Sequence, residues 1–236
     1  MLREKFFSDK AELLNALQAH CLSVLGDAIS DSDRASLLLS GGSTPQTLYE
    51  ALSESELDWA KVDLALVDER WVANDHAASN EAMIRRSLLV NKAASARFIA
   101  MKNSHDTAHA GHQRCEAAYA SLKQPYDFCL LGMGSDGHFA SLFPYAQGLA
   151  AGLDLDNNAL CVAISARQTT VTGNYTERMS LTLSAILRAR HIVLLISGDA
   201  KRKIYARAKL SLDPKAMPVS ALLKQDKTPV TVYWAP

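Results

Sequence analysis

The sequence predicts an α/β fold, a doubly wound three-layer α/β/α sandwich with a mainly parallel sheet. Short apolar runs alternate with helical stretches along the chain, as they do in successive βαβ units. The apolar runs show no clear polar alternation, which suits strands that are buried on both faces. The chain has 236 residues, enough for one large core, and no break in composition marks a boundary. We therefore expect one domain over residues 1–236.

The elements follow in order along the chain. Apolar residues recur at helical spacing from Ser8 onwards, so the first element is predicted to be an amphipathic helix capped near Ser8 or Asp9. Helical patterns also cover Pro45–Leu52, Glu81–Leu89, Asp106–Leu122 and Asp199–Leu210. Short apolar runs predict strands at Ser36–Leu39, Val62–Val67, Arg97–Met101, Phe128–Leu131, Leu160–Ile164, Ile192–Ile196 and Val230–Trp234. Segment 146–176 is the least regular part and a candidate for mobile loops over a site.

Composition argues against several classes of protein. The 25 Lys and Arg residues balance 25 Asp and Glu residues, so no basic excess favours a nucleic acid or an anionic membrane as partner. No apolar run reaches the roughly 20 residues of a membrane span, and charges interrupt the N-terminal segment where a secretion signal needs an apolar core. We expect a cytoplasmic protein. The four cysteines form no C-x-x-C pair, which argues against a disulfide framework and a cysteine zinc site.

Loops that follow strands are the places to search for a site, because open parallel sheets bind ligands outside the carboxyl ends of their strands. The first such loop is Ser40-Gly41-Gly42-Ser43-Thr44-Pro45. We interpret Thr44 as a helix N-cap and Pro45 as the first helical residue. An ordinary turn does not need two glycines and two hydroxyls. The loop therefore predicts phosphate binding by Gly41, Gly42, Ser43 and Thr44.

The second loop begins with Asp68, Glu69 and Arg70, directly after a predicted strand. The carboxylates can bind sugar hydroxyls, and the planar fork of Arg70 can bind a phosphate. A salt-bridged strand end is the alternative. Lys201 lies in the first turn of a predicted helix, where a cation opposes the helix dipole, so its placement suggests a phosphate contact. For Lys201 the alternative is a solvated basic face. The role of Arg178 is ambiguous when this residue is considered alone.

The third loop runs from Gly132 to Pro144 and contains the triplet Asp136-Gly137-His138. Its glycines at 132, 134 and 137 fit G-x-G-x-x-G, but no long helix and second strand follow, so we reject a dinucleotide site. The triplet is predicted to start a helix, whose positive end would keep His138 neutral and available as a general base. Lone histidines are more often structural, yet the glycine-rich loop at the carboxyl edge favours function.

Three other histidines lie at helical spacing: His105, His109 and His112. The first pair has the spacing of metal ligands. No nearby Cys or clear carboxylate completes a set, and the predicted helix needs a polar outer face. We therefore predict no metal site.

Five motifs together resemble the 6-phosphogluconolactonase family, and they occur in the family's order: Ser40–Pro45, Asp68–Val72 with Ser79–Glu81, Gly132–Pro144, Arg178–Leu183 and Gly198–Lys201. The resemblance runs from about residue 5 to Trp234, and its long central motif is highly specific. Glucosamine-6-phosphate deaminases look similar, but typically carry Tyr where this chain has Arg70-Trp71, and Phe-Asn-Glu-Pro where it has Ser141–Pro144. The resemblance favours the lactonase and implies a Rossmann-like fold of the NagB type.

The resemblance implies hydrolysis of 6-phospho-D-glucono-1,5-lactone in the oxidative pentose phosphate pathway. His138 would activate water, and Asp136 would orient the imidazole or the sugar. Backbone N–H groups near Gly132–Gly137 would stabilise the oxyanion, and Gly134 would be among the residues that bind the substrate. The first loop, Arg70, Lys201 and Arg178 would bind the phosphate. No cofactor is required, since a lactone carbonyl is already electrophilic. We expect a sugar-phosphate lactone as partner and a monomer or homodimer. A glucosamine-6-phosphate deaminase and a sugar-phosphate sensor without turnover stay open as alternatives.

Overall fold

Ten strands and eight α-helices make up the computed structural model, which describes residues 1–236. The strands are β1 (Leu2–Phe6), β2 (Ala35–Leu39), β3 (Val62–Leu66), β4 (Asp68–Arg70), β5 (Arg97–Ile99), β6 (Tyr126–Gly132), β7 (Cys161–Ser165), β8 (Glu177–Leu181), β9 (Ala189–Ser197) and β10 (Val230–Ala235). The helices are α1 (Lys10–Ser32), α2 (Ser43–Ser53), α3 (Asn80–Ser87), α4 (Ala108–Ala120), α5 (Leu149–Leu153), α6 (Leu183–Ile186), α7 (Gly198–Leu210) and α8 (Val219–Lys224). Short 3-10 turns at Trp59–Lys61 and Asn91–Ser95 precede β3 and β5.

Seven strands form one parallel sheet in the order β1-β10-β9-β6-β2-β3-β5. The chain runs outwards from β2 through β3 to β5, then returns to the other side of β2 with β6 and continues to β9 and β10. The direction of winding therefore reverses between β2 and β6. Their carboxyl ends define the crevice in which doubly wound sheets bind ligands. The predicted α/β fold with a mainly parallel sheet is confirmed.

Burial of the central strands explains why their sequences do not alternate. All five residues of β2 and all five of β3 are buried, so both faces of these strands contact the core. Helix α1 covers the sheet with Leu13, Leu17, Cys21 and Leu25, which recur every fourth residue. The predicted cap at the start of α1 is confirmed, since the Asp9 carboxylate accepts from the backbone N–H of Glu12 at 2.8 Å. No helix is both long enough and apolar enough to cross a membrane.

The strand predicted at Leu160–Ile164 is present but lies outside the main parallel sheet. This segment forms β7, which pairs antiparallel with β8, and β8 pairs antiparallel with β4 in a separate three-stranded sheet. An apolar run indicates that a strand is buried, but it does not indicate which strand is its neighbour in a sheet. Three strands escaped prediction altogether. β1 is a charged, largely exposed edge strand, β4 has only three residues, and β8 begins with the charged residues Glu177 and Arg178.

Candidate active site

A cavity of about 480 Å³ opens at the carboxyl ends of β2, β6 and β9. The three loops identified in the sequence meet here, together with residues from β8 and α7. Ten of the twelve predicted site residues line the cavity: Gly41, Gly42, Ser43, Thr44, Asp68, Arg70, Gly134, His138, Arg178 and Lys201. The other two, Glu69 and Asp136, lie behind the residues that line it.

The glycine loop leads into a helix whose N-terminus has no side-chain cap. α2 begins at Ser43 with Gly42 as its N-cap, not at Pro45 with Thr44 as cap as the sequence indicated. Gly42 adopts φ 107° and has no side chain that could accept from the first N–H groups. A Cβ on Gly41 would lie 1.9 Å from Oδ1 of Asn80, so only glycine fits there. The open N-terminus of α2 can therefore bind an anion.

Two buried polar atoms in the cavity wall have no partner in the protein. They are Oγ of Ser40, a residue that we did not single out from the sequence, and Nε of Arg70. A buried polar group without a hydrogen bond costs roughly 1–3 kcal/mol. A ligand that supplied acceptors or donors at these two points would remove that cost. Ser40 directly precedes the two glycines, which is the signal that could have identified it.

Three cations face the cavity, and none of them forms a salt bridge: Arg70, Arg178 and Lys201. Burial lowers the pKa of the Lys201 ammonium, which donates to the carbonyl of Met133. Lys201 lies in the first turn of α7, whose N-cap Ser197 makes no side-chain capping bond and also lines the cavity. Unpaired cations and two uncapped helix N-termini make this cavity suited to an anion.

Arg178 is the most deeply buried of these cations, with only 4% of its surface exposed. Burial lowers the pKa of its guanidinium to about 10. Its Nε donates to the carbonyl of Tyr175 at 2.5 Å and its Nη2 to the carbonyl of Thr172 at 3.3 Å. These bonds attach Arg178 to the segment that also brings Thr170 and Val171 to the cavity. Part of the irregular segment 146–176 therefore does line the site.

The two carboxylates of β4 have different surroundings. Asp68 lines the cavity, and its Oδ2 accepts from the hydroxyl of Ser141 at 2.5 Å. Glu69 points away from the cavity, because successive residues of a strand face opposite sides. It accepts from the backbone N–H groups of Asn80 and Glu81, both at 2.8 Å, and from the hydroxyl of Ser79 at 2.9 Å. Burial raises the pKa of Glu69, which lies at the N-terminus of α3.

His138 is held by a carboxylate and not by a helix. Residues 133–148 contain no helix, so the predicted effect of a helix dipole on this histidine is wrong. Instead, Nδ1 of His138 lies 2.5 Å from Oδ1 of Asp136. Burial raises the pKa of Asp136, but the hydrogen bond and charge of His138 outweigh it and hold that pKa below its ordinary value. In the neutral imidazole, an ionised acceptor at Nδ1 assigns the ring proton to this nitrogen, so Nε2 is the nitrogen that can accept a proton.

The imidazole is tightly packed. Its ring centroid lies 4.2 Å from that of Phe143, and a Cβ on Gly134 would lie 2.0 Å from its Nδ1. The N–H of Gly134 donates to the His138 carbonyl at 2.8 Å, so this glycine cannot also donate to a substrate. The N–H groups of Met133 and Ser135 have no acceptor in the protein, and both residues line the cavity. They are the candidates for oxyanion donors in this loop.

The three spaced histidines do not converge on one point. Nε2 of His112 contacts the carbonyl of Cys161 at 2.8 Å, and Nδ1 of His105 contacts Oδ1 of Asn103 at 2.9 Å. No group of three or more His, Cys, Asp or Glu side chains in the structure could hold a metal ion.

Comparisons with known proteins point to one family. Residues 8–234 match the model of the family described as glucosamine-6-phosphate isomerases/6-phosphogluconolactonase. The 6-phosphogluconolactonase of Rhizobium meliloti is 37% identical over 230 residues, which cover 98% of this chain and 97% of that protein. The 6-phosphogluconolactonase of Pseudomonas putida is 37% identical over 227 residues, 96% of this chain and 90% of that protein. A crystal structure of a 6-phosphogluconolactonase from Shewanella baltica superposes with a TM-score of 0.94 at 40% identity, covering 100% of this chain and 98% of that one. The chain belongs to the glucosamine-6-phosphate isomerase/6-phosphogluconolactonase family.

Proposed function

We propose that the protein hydrolyses 6-phospho-D-glucono-1,5-lactone to 6-phospho-D-gluconate, the lactonase step of the oxidative pentose phosphate pathway. The Asp136–His138 pair is the observation that carries the proposal. Nε2 of His138 has no partner in the protein, and His138 lines a cavity with three cations that form no salt bridge. A general base beside an anion-binding surface suits hydrolysis of a phosphorylated ester. Relatives that are 37% identical over nearly the whole chain carry the name 6-phosphogluconolactonase, which supports the same reaction.

The negative charge of the substrate is neutralised by the cavity wall. The phosphate dianion meets the uncapped N-terminus of α2, with the hydroxyls of Ser43 and Thr44, and the cations Arg70, Arg178 and Lys201. Binding energy from this remote group orients the lactone carbonyl for attack.

The reaction proceeds by general base catalysis at His138. Its Nε2 takes a proton from water as the water oxygen bonds to the lactone carbonyl carbon. The carbonyl oxygen becomes an oxyanion, which accepts from the N–H groups of Met133 and Ser135. Collapse of this intermediate breaks the bond to the ring oxygen, and the imidazolium returns its proton to that oxygen as a hydroxyl forms. The carboxylate of Asp136 stabilises the imidazolium between these steps.

Lactonase activity is tested by following the loss of phospholactone, generated in place by oxidation of glucose 6-phosphate. Since the lactone also hydrolyses spontaneously, protein and buffer are run in parallel. We expect the protein to accelerate the loss well above the rate in buffer. Release of ammonia from glucosamine 6-phosphate without lactonase activity would overturn the proposal in favour of a deaminase. Ligand binding without any turnover would favour a sensor.

A further inference from the structure

The guanidinium of Arg70 is held from one side only. Its Nη1 donates to Oδ1 of Asn80 at 2.7 Å and to the carbonyl of Ala78 at 2.9 Å. Its Nε is buried and has no partner, and its Nη2 donates to no acceptor in the protein. The edge formed by Nε and Nη2 carries two parallel N–H donors, the arrangement that binds two oxygens of one carboxylate or phosphate group.

Asn80 is itself held so that its amide oxygen meets Arg70. The residue is 2% exposed, and its Nδ2 donates to the carbonyl of Asp68 at 2.8 Å. Its backbone N–H donates to Oε1 of Glu69 at 2.8 Å. The amide nitrogen has a fixed acceptor, so the amide oxygen has one orientation, in which it accepts from Nη1 of Arg70. Gly41 packs against the same amide, so Asn80 also joins the glycine loop to β4.

The two groups that accept hydrogen bonds from Arg70 are neutral, which distinguishes Arg70 from arginines that form structural salt bridges. Arg34 and Arg97 each donate two hydrogen bonds to the carboxylate of Asp63, whose single negative charge the two guanidinium groups share. Arg70 is held by an amide and a backbone carbonyl, which orient the guanidinium and leave its full charge for a ligand.

We propose that Asn80 is a positioning residue that orients Arg70 so that its Nε–Nη2 edge binds two oxygens of one anionic group of the substrate. The identity of the substrate rests on the proposed function. The proposed function assigns Arg70 to the phosphate. The carboxylate that hydrolysis generates also presents a pair of oxygens at the spacing of this edge, so the two groups are tested separately.

A double-mutant cycle on ligand binding tests the proposal without turnover. The dissociation constant of 6-phosphogluconate is measured by calorimetry for wild type, Asn80→Ala, Arg70→Lys and the double variant. Arg70→Lys keeps the charge but loses the fork. We expect each single variant to bind about 10-fold more weakly. The double variant should be no weaker than Arg70→Lys alone, because Asn80 acts through the fork.

Two further variants separate positioning from folding. In Asn80→Asp a carboxylate pairs with Arg70, and the oxygen that replaces Nδ2 loses the bond to the Asp68 carbonyl. We therefore expect binding at least as weak as in Asn80→Ala, and thermal unfolding of both variants shows whether they are folded. Asn103→Ala is the matched control. Its amide also donates to a backbone carbonyl, that of Gly111 at 2.9 Å, but it does not line the cavity. This variant should bind 6-phosphogluconate as wild type does.

Additive losses in the double variant, or wild-type affinity in Asn80→Ala, would overturn the proposal. Inorganic phosphate and D-gluconate are titrated as separate arms, and the one that shows the same non-additivity identifies the bound group. A wild-type protein that binds 6-phosphogluconate with the expected coupling but does not hydrolyse the lactone would contradict only the proposed function.

Discussion

Gly134→Ala tests how closely the catalytic imidazole must be held. A Cβ at this position would lie 2.0 Å from Nδ1 of His138, 2.1 Å from its Cε1 and 2.5 Å from Oδ1 of Asp136. Ordinary van der Waals contact begins near 3.4 Å, so the imidazole must move by about 1 Å or more. The bond from the Gly134 N–H to the His138 carbonyl holds the two backbones together, so the loop cannot simply widen. The strain therefore falls on the Asp136–His138 pair.

The expected effect is on turnover. A displacement of about 1 Å at a reacting group costs roughly 100-fold in rate. Gly134 does not have a left-handed backbone, so alanine is compatible with its conformation and the protein should fold, with a stability loss within the roughly 1–3 kcal/mol of overpacking. The cations are not displaced, so KM should change little while kcat falls about 100-fold.

Steady-state hydrolysis of the phospholactone gives kcat and KM, and thermal unfolding gives stability. Gly26→Ala is the matched control, because nothing lies within 4 Å of a Cβ there and the residue is in α1. It should keep full activity and gain up to about 1 kcal/mol of stability from helix propensity. A folded Gly134→Ala protein with kcat close to that of wild type would refute the geometric argument.

Three further predictions concern the site and the stability of the fold. Asp136→Asn removes the charge that stabilises the imidazolium, so kcat should fall by a factor on the order of 10²–10⁴; a kcat within a few-fold of wild type at saturating lactone would contradict this role. Arg178→Gln removes a buried cation from the cavity wall, so KM should rise about 10-fold or more; an unchanged KM would place the substrate elsewhere. Burial raises the pKa of Asp63, but hydrogen bonds from Arg97 and Arg34 outweigh it and hold the pKa below its ordinary value. Its contribution to stability is therefore present above a pH of about 4 and is lost as pH falls through the lower, folded-state pKa. Asp63→Asn should lose about 2–4 kcal/mol at pH 7 and most of this acid dependence in denaturant unfolding; a variant as stable as wild type would show that the ion pairs contribute nothing.

The location of the site could be predicted because it depends on local patterns. Residues 40–44 and 132–138 each follow a buried apolar run, and parallel strands bring their carboxyl ends to one edge. His138 and Asp136 are two residues apart, so their contact is also local. These features need no knowledge of which strands are neighbours.

The rest depends on contacts between distant segments. The pairing of Cys161–Ser165 with β8 removes it from the main sheet, and nothing within the segment indicates that partner. The roles of Asp68 and Glu69 separate only once β4 is known to be a strand, since its alternation turns one carboxylate towards the cavity and the other away. The side chain of Asn80 joins the glycine loop to β4, a contact that spacing along the chain does not reveal.

The most direct test of His138 as the general base is a comparison of lactone loss in wild type, His138→Ala and buffer over a range of pH. Wild type should accelerate hydrolysis at neutral pH, and its kcat should exceed that of His138→Ala by on the order of 10²–10⁴. Affinity for 6-phosphogluconate should change little in the variant, because Arg70, Arg178 and Lys201 are unaltered. A His138→Ala protein that hydrolyses the lactone at the wild-type rate would remove His138 from the mechanism.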